Sequence, residues 1–197
     1  ISYSSNIYLD QNFDFLNDKL QKDIVNFLKD RFRYYLKEKD IRHDIIDAAT
    51  KDLNLNKIST VFEKAKSLNK VINKSIGEDI ILSYKRASNI LHSEVKDISK
   101  DLANTTDPGI FKNDFEKDLY KKTNELRKYF STISKNHNFD EALVVMSTVK
   151  KEVFAFFDNV KVNDNSETVK KNRLELINFF FYFYENFIDF LLIKDIN

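Results

Sequence analysis

Two glycines and one proline in 197 residues limit what this chain can fold into more than any other feature does. Glycine is the residue that reaches positive φ without steric cost, and proline breaks helices. A chain this poor in both has few tight turns and long uninterrupted segments, so long helices are favoured. Parallel sheets with glycine-rich phosphate loops are excluded. So is a Gly-x-Ser-x-Gly nucleophile elbow, because Gly77 and Gly109 stand too far apart to build one. Pro108 and Gly109 fall together in Asn-Thr-Thr-Asp-Pro-Gly at 104–109. Asp107 is placed there to cap a helix with Pro108 at its first position.

The apolar residues recur in steps of three and four, the spacing of one helical face. Leu20, Ile24, Phe27, Leu28, Phe32, Tyr35 and Leu36 predict a first helix, followed after Lys39-Asp40 by a short one through Ile41, Ile45, Ile46 and Ala49. A third runs from Ile58 to Ile72. It ends near Gly77, which acts as a stop unless Ser75 and Glu78 form a capping box. A fourth carries Ile80, Ile81, Tyr84, Ala87, Ile90 and Leu91. A fifth places Phe111, Phe115, Leu119, Leu126, Phe130 and Ile133 on one face, with a lysine-rich outer face. Asn138 and Glu141 have cap spacing before a sixth, through Leu143, Met146, Val149, Val153, Phe156 and Phe157. A polar loop at 158–166 precedes a last helix from Val169 through Tyr184 to Leu191, whose middle is aromatic on both faces and belongs between neighbours. The segment at 159–162 alternates but is too short for a sheet. The expected fold is all-α, a bundle of about six to eight helices without significant sheet. Residues 1–19 read as a lead-in helix or linker, and 20–197 as the domain.

The chemistry is sparse. Without cysteine, disulfides, thiol catalysis and Cys-based zinc sites are excluded together. His43, His92 and His137 lie far apart, with no second ligand at metal spacing. Glu38, Asp44 and Asp47 read as a solvated helix face, and Arg42-His43-Asp44 permutes a kinase catalytic loop without that loop's companions. No catalytic residue, metal site or cofactor site is expected in this segment. The opening ISYSSNIYLDQ is polar and acidic, unlike a secretory leader. The apolar run at 179–184 is far short of a membrane span. The chain opens on Ile1 rather than Met, so it reads as a piece of a longer protein. A formal net charge of +1 neither supports nor excludes a nucleic-acid partner.

What remains is basic and aromatic: Arg31-Phe-Arg-Tyr-Tyr35, Tyr84-Lys-Arg86, and the cations from Lys161 to Arg173. Unpaired RNA bases are held by aromatic or guanidinium planes and by hydrogen bonds to their edges. These residue types supply that toolkit, although they also clothe most soluble helical proteins.

Residues 154–177, FAFFDNVKVNDNSETVKKNRLELI, resemble the last helical hairpin of the anticodon-binding domain in bacterial glycyl-tRNA synthetase β subunits. Residues 27–48 resemble the family's "F-x-x-D-R-x-x-x-x-L…D-x-I-D-A" helix pair. Residues 84–91, YKRASNIL, resemble its "K-R-x-x-N-I-L" helix, and Ile188-Asp-Phe190 its closing tail. The same DALR-like module occurs in arginyl-tRNA synthetases, but the Lys-Arg-x-x-Asn-Ile-Leu helix and the Phe-Phe-Asp loop favour glycyl. Two departures stand out. Glu38-Lys39-Asp40 lacks the expected glycine, and 169–172 is less arginine-rich than expected. The resemblance implies a cytoplasmic tRNA-binding part of a glycine–tRNA ligase, with tRNA-Gly as partner. Glycine activation with ATP and Mg²⁺ would belong to a separate α subunit in an α2β2 assembly.

On that reading Arg31, Arg33, Arg86, Lys161, Asn163 and Lys170 face RNA, and Tyr34 is a stacking platform. Asp158 and Arg173 bracket the loop and are expected to close it as an ion pair. Asn89 and Asn172 either position a neighbouring segment or touch RNA. The alternative is a helical protein-interaction domain that docks another subunit through the aromatic face at 179–184, with no membrane role in either case.

Overall fold

The computed structural model describes residues 18–51, 53–94, 105–136, 138–185 and 187–194. Its helices are α1 (Asp18–Glu38), α2 (His43–Thr50), α3 (Ile58–Val71), α4 (Ser75–Glu94), α5 (Asp114–Asn136), α6 (Phe139–Ser147), α7 (Lys150–Asn159) and α8 (Glu167–Glu185). Short 3₁₀ turns occupy Leu55–Lys57, Pro108–Ile110 and Phe190–Leu192. No strand occurs among the described residues, so the all-α expectation holds and 159–162 ends a helix and enters a loop. Most of the expected lead-in, residues 1–17, and His137 lie outside the described residues.

The hub is α8, which packs against α4 and α5, while α7 also lies on α4 and α5. Phe179, Phe180 and Phe181 are buried in succession, which only a helix with neighbours on more than one side can achieve. Tyr84 of α4 stacks on Phe181 with ring centroids 4.6 Å apart. The Tyr184 hydroxyl donates to the Met146 carbonyl. Phe179, Phe180, Phe181 and Tyr184 of the aromatic face are therefore core, and Tyr182 and Phe183 are half-buried, so this face is turned largely into the fold.

Only the second half of α1 joins this core. Phe32 and Leu36 are buried, whereas Leu20, Ile24, Phe27 and Leu28 on the predicted stripe are exposed. The helix ends where a glycine was expected. Asp40 adopts φ 57°, Ile41 N–H donates to Leu36 O at 3.3 Å, and Asp40 N–H donates to Lys37 O at 3.0 Å. These two bonds, with Leu36 and Ile41 both buried, are the Schellman arrangement. Asp is among the few residues besides Gly that tolerate the left-handed region. Asn69 then holds the turn from α3, donating to Asp40 O and accepting from Arg42 N–H.

Gly77 does not stop a helix. It lies in the first turn of α4, where an added Cβ would stand 2.5 Å from the Ile72 Cα and carbonyl oxygen. The backbone at the start of α4 lies against the end of α3 there, and no side chain fits between. Because α4 begins at Ser75 itself, with Glu78 N–H donating to Lys74 O, the Ser75–Glu78 capping box does not form. Two further differences are local. Pro108 opens a short 3₁₀ turn rather than α5, with Asp107 Oδ1 accepting from Gly109 N–H at 2.8 Å. The predicted sixth helix is two, because Ser147 and Thr148 hydroxyls donate to the Val144 and Val145 carbonyls at the bend and draw the backbone out of the α ladder.

Asp44 is not on a solvated face. It is buried and accepts from Arg42, from Ile45 N–H and from Lys194 N–H near the chain's end. Burial pushes its carboxyl up, but Arg42 and those N–H groups outweigh it, leaving the value below the ordinary 3.8. A depressed folded value means stability that is present above the unfolded pKa and lost as pH falls through the folded one. Asp44→Asn should cost about 2 kcal/mol at pH 7, read from urea denaturation, and the gap to the parent should shrink as pH falls below 4. Asp40→Gly should raise stability by about 1 kcal/mol, because glycine occupies the left-handed region without a Cβ penalty. Asp40→Ala should lower it.

Candidate nucleic-acid interface

The loop between α7 and α8 is shaped by one arginine. Arg173 projects inward from α8 and donates from Nε to Glu116 Oε1 at 2.5 Å, with side chains only 6% and 1% exposed. Its Nη1 donates to Lys161 O at 2.8 Å and to Asp164 Oδ2 at 2.9 Å. The second Glu116 oxygen accepts from Lys112 and Asn113 N–H, while Asn113 Oδ1 accepts from Glu116 N–H. Asn113 and Glu116 thus form the capping box of α5. One buried pair joins the start of α5, the loop and α8.

The neighbouring Asn172 holds a second segment. Its Oδ1 accepts from Asp107 N–H at 2.8 Å and its Nδ2 donates to Asp107 O at 3.0 Å. It is buried, so of its two sequence readings the positioning one is realised. Asn89 is exposed on α4. The Asn-Arg pair at 172–173 therefore fixes the turn at Pro108 and the loop at 160–166 from two sides.

The expected Asp158–Arg173 ion pair does not form. Asp158 instead meets Arg86 of α4 at 2.6 Å, because Arg173 turns to the buried Glu116. Arg86 lies with its guanidinium 4.8 Å from the Phe154 ring centroid and 5.3 Å from that of Phe157, a cation–π arrangement. Lys170 reaches Glu94 at 3.0 Å, and Asn163 Nδ2 donates to the same carboxylate at 2.8 Å. Both hold the Glu94 carboxyl below its ordinary value. Asp164 is also lowered, first by Ser166 N–H and then, against some burial, by Lys112 and Arg173. The Lys161 side chain is exposed, while its own carbonyl is pinned by Arg173.

The α1 candidates lie on a separate helix. Arg31 is exposed and sits 5.3 Å from the Phe27 ring centroid. Tyr34 and Phe27 are each 57% exposed, a geometry open to stacking. Arg33 folds onto α2, donating to Asp47 and Thr50, and holds the Asp47 carboxyl below its ordinary value. The structure thus gathers Arg86 with Asp158, and Asn163 with Lys170, while Arg31 and Tyr34 stand apart from them. Tyr84, in the second basic cluster, is core. Glu94 and Glu116 escaped the sequence reading. The Asn113-x-x-Glu116 spacing could have marked Glu116 as a cap, whereas Glu94 meets partners 69 and more residues away. Among the described residues no group of His, Cys, Asp and Glu is arranged to hold a metal.

Comparison with known proteins places a family on these elements. Residues 80–195 match the DALR anticodon binding domain model. The chain is 28% identical over 177 residues to the glycine–tRNA ligase beta subunit of Rickettsia prowazekii (strain Madrid E), covering 90% of this chain and 24% of that one. It is 33% identical over 162 residues to the corresponding subunit of Rickettsia bellii, covering 82% and 22%. To that of Dinoroseobacter shibae it is 27% identical over 157 residues, covering 80% and 22%. The chain spans less than a quarter of the length of these relatives.

Breaking the buried pair tests this geometry. Arg173→Met should cost about 3–5 kcal/mol, because it strands the Glu116 charge in the interior. Asp158→Asn, which loosens a part-exposed pair, should cost under about 1 kcal/mol. In urea denaturation the two effects should add, as expected of side chains that do not interact. A coupling energy between them would contradict the partner exchange.

Proposed function

Since this chain belongs to the DALR anticodon binding domain family, we propose that it grips the anticodon stem-loop of a tRNA. The relatives are glycine–tRNA ligase beta subunits, so tRNA-Gly is the tRNA proposed. Glycine activation, with ATP and Mg²⁺, then belongs to a separate α subunit, and the whole acts in the cytoplasm as an α2β2 assembly. No helix among the described residues is long and apolar enough to cross a membrane.

One observation carries the reading most directly. The family match spans the elements that build the clasped loop and contains Arg86, Lys161, Asn163 and Lys170. A loop whose backbone is fixed by buried groups presents its outer side chains in one geometry, which is what recognition of splayed bases requires. Arg86, Lys161 and Lys170 are proposed to meet phosphates, with Asn163 at a base edge or a phosphate. Arg31 and Tyr34 of α1 add a second contact, the tyrosine as a stacking platform. Arg33, bonded to α2, orients that helix. Asp158 and Arg173 are structural: the first docks Arg86, and the second sets the loop.

Titration of tRNA-Gly against the protein at two salt concentrations checks this. Affinity should fall as salt rises, through counterion release from the phosphates. Changing the second or third anticodon base should weaken binding by about tenfold. Equal affinity for an unrelated tRNA would overturn the anticodon reading and leave general RNA binding.

A further inference from the structure

Glu94 is the last described residue of α4. What holds it is the loop across from it. One carboxylate oxygen accepts from Asn163 Nδ2 at 2.8 Å and the other faces Lys170 Nζ at 3.0 Å. A donor amide and an ammonium therefore share two oxygens on one anionic centre. The two non-bridging oxygens of a nucleic-acid phosphodiester present that same pattern.

The pair is also accessible. Lys170 and Glu94 side chains are 27% and 23% exposed, and Lys161, two residues before Asn163, is exposed. A part-exposed ion pair contributes little by itself, so a polyanion anchored elsewhere can displace it. We propose that Asn163 and Lys170 form a phosphate site that Glu94 fills in the protein alone, and that a backbone phosphate of the bound RNA takes its place. This rests on the anticodon-binding reading and deepens it. It makes Glu94 a resident competitor, so RNA lacking the other contacts gains nothing by approaching Lys170.

The salt dependence distinguishes this from a merely structural pair. While Glu94 neutralises Lys170, exchanging one anion for another releases no net counterion there. Removing the acid turns Lys170 into an ordinary phosphate contact. Glu94→Gln keeps an oxygen for Asn163. In the intact chain it should leave the thermal midpoint unchanged and tighten tRNA-Gly binding about threefold to fivefold. It should also steepen log Kd against log salt by about 0.7–0.9. Glu63→Gln, which removes the same charge from α3, is the control and should do neither. Adding Lys170→Gln to Glu94→Gln should abolish both gains. Tighter binding equal to the control's, an unchanged slope, or weaker binding would overturn the stand-in role alone. Failure of parent and variant alike to bind tRNA-Gly would overturn the anticodon reading, and this inference with it.

Discussion

The Glu116–Arg173 pair is the interaction on which the rest of the interface depends. Two charges withdrawn from water are costly, and their mutual attraction offsets that cost only when every remaining donor and acceptor is used well. Here they are. Glu116 caps α5 with one oxygen and meets Arg173 with the other, and Arg173 spends its further donor on the Lys161 carbonyl and Asp164. The groups satisfied in this way are those that a helix start and an irregular loop would otherwise leave exposed. The pair therefore does not simply bind α5 to α8. It allows a seven-residue gap in the helical ladder to keep one shape.

Much of the fold was legible, and the reasons it was legible also explain the misses. Steps of three and four located each helix because a bundle helix buries one stripe. The same rule failed at Thr148, where Met146, Val149 and Val153 keep the apolar spacing across a bend that the hydroxyls of Ser147 and Thr148 create. It failed in the first half of α1, where a periodic stripe is exposed instead of buried. It also misassigned α5, because Glu116 takes an inward position and Phe115 faces out. A buried acid reads as surface unless its partner is known, and Arg173 is 57 residues away.

The site was less legible than the fold for the same reason. Residue type and the family resemblance singled out Arg86, Asn163, Lys170 and Arg173 as candidates but could not assign their partners. Each partner lies on another element: Asp158 for Arg86, Glu94 for Asn163 and Lys170, and Glu116 for Arg173. The net charge of +1 was silent at the sequence level. The structure gives it meaning, since most cations near the loop face a carboxylate. The surface is not a diffuse basic patch.

This distribution separates two kinds of contact. A basic patch attracts any polyanion, and its affinity carries little information about sequence. A fixed loop whose cations are already occupied gains less from charge alone, so discrimination falls to geometry: stacking planes, edge donors and a backbone held by buried groups. The elements that impose this geometry, α4 to α8, all overlap the family match at 80–195. The exposed Phe27, Arg31 and Tyr34 of α1 precede that match and are tied to the bundle only through the second half of their helix. On the proposed RNA-binding reading, the rigid unit would set which RNA shape fits, while α1 would add contact area whose removal weakens binding without changing the shape that is read.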